Sequence, residues 1–284
     1  MRKSKIQFLS AMGIFGTIGI FVRYLPLSSG MIAFARGVMG LLCLCAVMFV
    51  GKQKPDFSAI RKNLPILLLS GAAMGFNWVL LFESYRYTTI ATATVCYYLA
   101  PLLLLLVCPL LGEKLTIKKI LCICAALSGL VCVSGITESG LPALQELKGV
   151  LLGVGAAVLY ATVMFLNKKL SPIPAYDKTI LQLGSAVLVL LPYLLLTQSA
   201  ALPEMTAMQW AVLLLLGILH TGIAYTLYFG SMKNLQAHTI AVFSYLDPVL
   251  AVVLSALLLK EPMSPANIVG TVLILGSAIY SELT

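Results

Sequence analysis

Charged side chains are scarce in this sequence, and their scarcity is the first guide to its class. Only 10% of the 284 residues are charged, whereas 60% are hydrophobic. Soluble domains carry about 25% charged residues. The composition therefore excludes an ordinary soluble fold and predicts an integral membrane protein whose chain crosses the bilayer repeatedly.

Signatures of several other function classes are also missing. No G-x-x-x-x-G-K motif followed by Ser or Thr is present, so an ATP-driven pump is unsupported. The seven cysteines lie within apolar segments, without cysteine or histidine partners at metal-ligand spacing. The net charge of +9 comes from basic residues in short runs between apolar segments, which indicates membrane topology rather than nucleic-acid binding. We therefore expect no enzymatic activity, no cofactor, no metal and no nucleic-acid partner.

Apolar segments make up most of what is present. A helix needs about 20 apolar residues to span a bilayer, and ten segments come close to that length. They run over residues 8–25, 30–51, 65–86, 90–112, 116–136, 148–170, 176–197, 209–231, 238–260 and 265–282. Thr116 and Ser264 are predicted helix N-caps, and Pro265 occupies a first helical position. The predicted fold is all-α with ten transmembrane helices.

The distribution of Lys and Arg predicts the orientation of these helices. Cytoplasmic connections are enriched in both residues. With the N-terminus inside, 14 of the 19 basic residues fall on the inner side. We therefore expect a multi-pass protein of the cytoplasmic (inner) membrane, with both termini in the cytoplasm. The inner residues are Arg2, Lys3, Lys5, Lys52, Lys54, Arg61, Lys62, Lys114, Lys118, Lys119, Lys168, Lys169, Lys178 and Lys233.

The two halves of the chain contain related stretches. When residues 74–101 are shifted by 147 positions (245 − 98), Tyr98-Leu99-Ala100-Pro101 aligns with Tyr245-Leu246-Asp247-Pro248. Each half holds five predicted helices, and an odd number makes the second half enter the membrane from the opposite side. We therefore predict two inverted repeats, residues 1–137 and 148–284, that together form one membrane domain. Transporters built in this way place their site near the midplane, at the repeat interface.

Each half also contains several short motifs, and a proline followed by a glutamate recurs at matching places in the two halves. The motifs are Ala35-Arg36-Gly37, Phe82-Glu83-Ser84-Tyr85, Pro101 with Leu111-Gly112-Glu113-Lys114, Tyr228-Phe229-Gly230-Ser231, and Pro248 with Leu259-Lys260-Glu261-Pro262. This pattern resembles the drug/metabolite transporter superfamily, EamA type, over essentially the whole chain. The resemblance implies a ten-helix inner-membrane secondary carrier of small organic solutes, often an exporter of amino acids or other metabolites. Phe15 and Tyr160 stand where members of that family often carry tryptophan.

Asp247 is the first candidate for a functional residue. It lies in a nearly apolar run from Ile240 to Leu259, where a carboxylate is usually paired, protonated or functional. At about 1.5 Å per residue, Asp247 and His220 lie at similar depths in their segments. We predict that they face each other across a site, as a proton relay or a cation site. The alternative is that His220 bonds a neighbouring helix while a protonated Asp247 caps a carbonyl network.

Two more charged residues are candidate gate residues. Arg36 lies about two turns into its helix, where a guanidinium needs a carboxylate or carbonyl partner, and Glu83 is the predicted partner. Glu83 also precedes Arg86 by three residues, a spacing that allows a local ion pair instead. Pro101 and Pro248 are predicted to loosen the backbones of their helices and to help them bend.

Aromatic residues provide a predicted wall for the substrate. Aromatic faces near a carboxylate suit an ammonium group through cation–π attraction. Trp and Tyr also mark membrane interfaces, but most of these residues lie too deep in their segments for that role. The candidates are Trp78, Tyr97, Tyr98, Tyr225, Tyr228 and Tyr245, with the amide of Asn77 beside Trp78.

These inferences lead to a hypothesis of function. We expect a secondary active transporter that exports a small amphipathic metabolite such as an amino acid, with protons as a candidate coupling ion. The alternative within transport is proton-coupled movement of a cationic or quaternary ammonium solute. The alternative from another class is a membrane receptor or sensor that binds a ligand without moving it. A monomer in the lipid bilayer would suffice for transport.

Overall fold

Helices make up all the regular secondary structure that the computed structural model describes, which covers residues 2–107, 116–134, 144–197, 203–232, 235 and 237–283. The first half contains α1 (Arg2–Gly16), α2 (Ile18–Arg23), α3 (Ser29–Val50), α4 (Phe57–Ser84), α5 (Ile90–Tyr97), α6 (Ala100–Val107) and α7 (Ile117–Val133). The second half contains α8 (Leu144–Lys168), α9 (Ala175–Thr197), α10 (Ala207–Gly217), a π-helix (Ile218–Ile223), α11 (Ala224–Met232), α12 (Ala237–Ser244), α13 (Leu246–Leu258) and α14 (Pro265–Leu283). The predicted all-α fold is confirmed for these residues.

The lengths and surfaces of the helices are those of a membrane protein. Large apolar side chains such as Phe49, Leu195 and Leu196 are exposed on them, as lipid contact requires. Two shorter apolar helices cover Leu246–Leu258 and Pro265–Ser281. In the described part of the chain, seven segments are long and apolar enough to span a bilayer: Arg2–Arg23, Ser29–Val50, Phe57–Ser84, Ile90–Val107, Leu144–Lys168, Ala175–Thr197 and Ala207–Ser231.

Helix starts follow the capping signals of the sequence. The hydroxyls of Thr116 and Ser264 each accept a hydrogen bond from the backbone N–H three residues later, and Pro265 is the first residue of α14. The predicted N-caps are therefore confirmed. α4 begins at Phe57 rather than at residue 65, because the Asp56 carboxylate caps its first turn.

Both Tyr-Leu-x-Pro stretches interrupt a helix. α5 ends at Tyr97 and α12 ends at Ser244, and these residues lie four positions before Pro101 and Pro248 respectively. Proline has no N–H, so the carbonyl four residues earlier loses its helical partner. The interruptions therefore fall where the two prolines predict them. The segment Arg2–Arg23 is likewise broken at Thr17.

The two halves pack against each other over several helix pairs. α4 contacts both α8 and α9, while α7 packs along α14. α1 contacts α11 and α13, and α3 contacts α9 and the π-helix. First-half helices therefore border second-half helices around the centre of the molecule.

Candidate functional site

A cavity of about 310 Å³ lies between the two halves. Its volume is at the lower end of the range of small-molecule sites. The first half contributes Phe15, Arg36, Asn77, Trp78, Tyr97 and Tyr98 to its wall, and the second half contributes Tyr160, Lys178, Gln182, Tyr225, Tyr228 and Asp247, among others.

The cavity extends between the two ends of α4. The backbone N–H of Asp56 donates to the carboxylate of Asp177 (2.9 Å), so α4 and α9 begin at the same end of the molecule. Lys178, in the first turn of α9, lines the cavity towards that end. Tyr85, at the C-terminal end of α4, lines it towards the other.

Asp247 lies where the two Tyr-Leu-x-Pro stretches meet. The hydroxyl of Tyr98 donates a hydrogen bond of 2.7 Å to Asp247 Oδ2, and the rings of Tyr98 and Tyr245 are 6.0 Å apart. Asp247 stands in the first turn of α13, where the helix dipole favours a negative charge. The carboxylate therefore belongs to the cavity wall and has a partner from the opposite half. Its role in proton transfer stays a prediction.

Arg36 is buried in the wall, with a relative exposure of 4%. Its Nε donates a hydrogen bond of 2.8 Å to the hydroxyl of Thr221. Its guanidinium carbon lies 4.5 Å from the ring centroid of Trp78 and 5.8 Å from that of Phe82. One hydrogen bond and two cation–π contacts thus hold the guanidinium in the wall.

The predicted pairing of Arg36 with Glu83 is wrong. Glu83 accepts a hydrogen bond of 2.6 Å from the hydroxyl of Ser29 and lies 3.7 Å from a terminal nitrogen of Arg86. The alternative, a local ion pair with Arg86, is therefore the one found. The reason is geometric: Arg36 and Glu83 do not face each other, and Glu83 does not line the central cavity.

The predicted pairing of His220 with Asp247 is also wrong. The π-helix directs His220 away from the cavity wall, to a site with no solvent exposure. There its Nε2 bonds the hydroxyl of Thr17 at 2.8 Å, and its ring contacts Phe21 at 5.3 Å. The alternative, a histidine bonded to a neighbouring helix, is what the structure has. A π-turn changes the face that following side chains present, and sequence periodicity does not reveal it.

Five of the six predicted aromatic wall residues line the cavity: Trp78, Tyr97, Tyr98, Tyr225 and Tyr228. Tyr245 does not; it lies behind the wall, 5% exposed. Phe15 and Tyr160 also line the cavity, together with Phe82, Tyr85 and Phe229. The Tyr97 and Tyr160 rings stack at 5.0 Å, and Phe15 meets Tyr225 edge-on at 5.6 Å. Each of these pairs joins one half to the other.

Asn77 also reaches the cavity, but much of its bonding capacity is used structurally. Its amide nitrogen donates to the backbone carbonyl of Ala156 at 2.5 Å, and its oxygen accepts from the Tyr97 hydroxyl at 3.5 Å. Asn77 thereby ties α4 to α8 and positions the Tyr97 ring. Pro101 and Pro248 do not line the cavity, and their hinge role stays a prediction.

Sequence reasoning missed several polar residues of the wall. The charge pattern places Lys178 with the inner basic residues that set topology, yet it lines the cavity. Gln182 donates to Ser70 and to Asn167, both at 2.8 Å, and lies one helical turn further along α9. An amide and a lysine on the same face of an apolar helix are the signal that could have identified them.

Contacts of the Glu261 carboxylate join several helices at one end of the molecule. One carboxylate oxygen of Glu261 pairs with Arg23 at 2.8 Å, and the other accepts from the backbone N–H of Ile90 at 2.9 Å. Ser255 also donates to this second oxygen. Arg23 further donates to the backbone carbonyl of Thr88 at 2.9 Å. These bonds connect α2, α5 and α13 beside the C-terminal end of α4.

A profile of the EamA-like transporter family matches the chain twice, over residues 3–135 and again over 147–281. The chain belongs to the EamA-like transporter family. The resemblance inferred from the paired motifs is therefore confirmed. The family's name is that of transporters rather than enzymes, and the chain is accordingly a multi-pass membrane transporter.

Named relatives of this EamA chain agree with that assignment. The uncharacterized transporter YxxF of Bacillus subtilis (strain 168) is 33% identical over 258 residues, which cover 88% of this chain and 79% of the relative. A biotin transporter of Escherichia coli (strain K12) is 24% identical over 244 residues, with coverage of 82% and 79%. A crystal structure with 20% identity superposes with a TM-score of 0.68 over 99% of this chain and 97% of its own, and supports the fold.

Proposed function

We propose that this EamA-family chain is a secondary active transporter that moves a small organic metabolite across the cytoplasmic membrane by alternating access. The cavity is the observation that supports this most directly. It combines aromatic walls with the charged groups of Arg36 and Asp247, and residues of both family matches line it. Many secondary transporters use a site at the interface of two repeats.

The proposal includes a specific architecture. Ten membrane segments form two inverted five-helix repeats, residues 1–137 and 148–284, and both termini lie in the cytoplasm. The support is the double family match, the recurrence of the interrupted Tyr-Leu-x-Pro helix in each half, and the bias of Lys and Arg. A monomer contains the whole site.

Alternating access requires that one end of the cavity closes while the other opens. The contacts of Glu261 with Arg23 and Ile90 are suited to hold one end closed. The other end, near Lys178, has no such cluster of ion pairs among the described residues. In the proposed cycle, the helix breaks that precede Pro101 and Pro248 let these helices bend as the Glu261 contacts separate.

An amino acid or a similar amphipathic metabolite is the proposed cargo, and export the proposed direction. Asp247 and Arg36 offer opposite charges to the two ends of a zwitterion, while the aromatic walls suit an apolar body. Asp247 is also the proposed proton-coupling residue, because it is the one carboxylate among the described residues of the wall. The relative named a biotin transporter is consistent with a small organic cargo.

Solute flux in reconstituted vesicles tests this function. The purified protein would first be screened for thermal stabilisation by amino acids, quaternary amines and nucleosides, and the binders would then be radiolabelled. We expect counterflow of at least one binder, accelerated by an imposed pH gradient. Binding without any counterflow would contradict transport and favour a receptor or sensor.

A cationic solute is the second candidate. The carboxylate of Asp247 and the stacked rings of Tyr97 and Tyr160 favour it, since aromatic faces attract ammonium groups. The two cations of the same wall, Arg36 and Lys178, oppose it. Thermal stabilisation of the purified protein by quaternary amines but not by amino acids would favour a cationic solute.

A further inference from the structure

Arg36 presents unsatisfied donors to the cavity. Its Nε is used by Thr221, but its two terminal nitrogens have no hydrogen-bond partner among the described residues. No carboxylate of those residues forms an ion pair with it either. The side chain is more than nine-tenths buried and lies in the cavity wall. The terminal N–H groups are therefore available to a bound solute.

Such a guanidinium needs an anionic partner. A buried charge without one is expensive, and in a membrane protein it is paired or functional. Four N–H bonds of a planar fork match the two oxygens of a carboxylate in a bidentate arrangement. The guanidinium carbon lies 4.5 Å from the Trp78 ring centroid, and the terminal N–H groups have no hydrogen-bond partner among the described residues.

The π-helix holds the guanidinium of Arg36 in place. Thr221, which accepts from Arg36 Nε, belongs to the π-helix, and its own hydroxyl donates to the carbonyl of Leu216 at 3.2 Å. The widened turn supplies that carbonyl, because a π-helix shifts the hydrogen-bonding register by one residue. Arg36 is thus oriented before any solute binds, as a recognition group should be.

The charges of the wall point to the same sign of ligand. Among its described residues, Arg36 and Lys178 are cationic and Asp247 is the single carboxylate. Asp247 already accepts a hydrogen bond from Tyr98. The wall therefore has one excess positive charge when Asp247 is ionised and two when it is protonated. Inside a low-dielectric cavity, this excess favours an anion.

We infer that the cavity recognises its solute through a carboxylate, that Arg36 is the residue that binds this carboxylate, and that the ammonium group of an amino acid is dispensable for binding. The solute class is an organic carboxylate with an apolar or aromatic body, which packs against the cavity wall that includes Tyr97, Tyr160 and Phe15. This inference deepens the proposed function and rests on it only for the assignment of the cavity as the transport site.

Trp78 provides a direct reporter of this binding. The chain has two tryptophans, and Trp210 lies half-exposed on the molecule's surface in α10, outside the cavity wall. In the Trp210→Phe variant, Trp78 is the only tryptophan, and its ring lies against the Arg36 guanidinium. Phenylpropionate, phenylpropionamide and phenylpropylammonium, which share a body and differ in charge, would be titrated against the purified protein. Phenylalanine would be a fourth, zwitterionic probe.

We expect phenylpropionate to change Trp78 emission with an affinity at least about tenfold above those of the amide and the ammonium probe. Phenylalanine should bind comparably to phenylpropionate. Arg36→Gln should reduce the affinity for phenylpropionate by at least about tenfold, whereas Arg86→Gln, the same change outside the cavity wall, should leave it unaltered. Equal binding of the three probes, preference for the ammonium probe, or no response to phenylpropionate at millimolar concentration would overturn the inference.

If Arg36→Gln fails to fold, the three probes of different charge still show, in the Trp210→Phe protein, whether the cavity prefers an anion or a cation. Flux is measured separately in vesicles. Arg36-dependent carboxylate binding without counterflow would leave the inference standing and remove the transporter proposal. Counterflow of a solute that lacks a carboxylate, at a rate that Arg36→Gln does not change, would overturn the inference and leave the transporter proposal standing.

Discussion

The environment of Asp247 makes it the residue on which coupling is expected to depend. Its carboxylate receives a hydrogen bond from Tyr98 of the other half, and its mate in the first half is Ala100. The shared fold therefore does not require a carboxylate at this position. A group that can change charge, at the contact between the two halves, can link its protonation to their relative movement.

Replacing Asp247 with Asn is expected to abolish flux driven by a pH gradient while leaving expression and folding intact. The amide can still accept the hydrogen bond from Tyr98 but cannot take up a proton. Vesicle flux with and without a gradient is the measurement. Asp56→Asn makes the same chemical change at a helix cap, where Asn caps as well as Asp does, and should retain normal flux. Normal gradient-driven flux in the Asp247 variant would contradict the coupling role.

Trp78 is expected to contribute to binding in two ways, as a wall of the cavity and as the face that orients Arg36. Trp78→Ala should weaken solute affinity by about tenfold or more and lower the melting temperature, because a large side chain with 5% exposure leaves a cavity. Trp210→Ala removes an indole that is 48% exposed and should change the affinity little. An unchanged solute affinity in Trp78→Ala would show that the solute binds at another site.

The interrupted helices decide the geometry of the site at the scale of elements. The break at Tyr98 and the break at Tyr245 bring their tyrosine rings within 6.0 Å of each other. The π-helix turns Thr221 towards Arg36 and His220 towards the break at Thr17. Three irregular backbone segments thus set the direction of side chains at or beside the cavity. Irregular backbone at membrane depth occurs where protein or a cavity surrounds it.

Close packing of α1 against α13 is expected to position Asp247. A Cβ on Gly16 would lie 2.8 Å from the backbone oxygen of Asp247 and 2.9 Å from Leu250 Cβ, whereas one on Gly13 meets nothing nearer than 3.9 Å. Gly16→Ala should therefore destabilise the protein by about 1–3 kcal/mol and impair transport. Gly13→Ala, one turn away on α1, should be tolerated. Thermal unfolding and flux of the two variants are the measurements, and equal behaviour would contradict this role of Gly16.

The Glu261 contacts are expected to control access from the end of the molecule that carries Arg23. Glu261→Gln removes the ion pair with Arg23 but keeps an oxygen for the N–H of Ile90. In a cysteine-free background, Thr94→Cys in the cavity wall should then react several-fold faster with a membrane-impermeant thiol reagent from that side. Lys148→Gln, which alters an exposed contact with Tyr87, is the matched control. An unaltered labelling rate in the Glu261 variant would show that the Glu261 contacts do not close this end of the cavity.

At the scale of the whole molecule, the charges of the connections predict the orientation in the membrane. With both termini inside, a cysteine introduced at Lys54 should be labelled only from the cytoplasm, and one at Glu204 only from outside. Both positions are exposed. Labelling of intact cells and of inverted vesicles, in a cysteine-free background, measures this. Access to Lys54→Cys from outside would reverse the proposed topology.

The sequence by itself determined the class, the helical fold, the helix caps, the two proline breaks and the family. These depend on local chemistry: the length of apolar runs, the side chains at helix starts and the missing N–H of proline. It also identified Asp247, Trp78 and most aromatic residues of the wall, because a polar group deep in an apolar segment is costly and is kept mainly where it pairs or binds.

Tertiary structure alone decided which of those groups meet. The partners expected for Arg36 and Asp247 were charged residues at similar depth, yet the structure gives them Thr221 and Tyr98. Depth along a helix follows from counting residues, but the face that a side chain presents depends on breaks and on the π-turn, which change the helical phase. Glu83, the expected partner of Arg36, binds Ser29 and Arg86 instead. The terminal nitrogens of Arg36 therefore have no carboxylate partner among the described residues and are available to a solute.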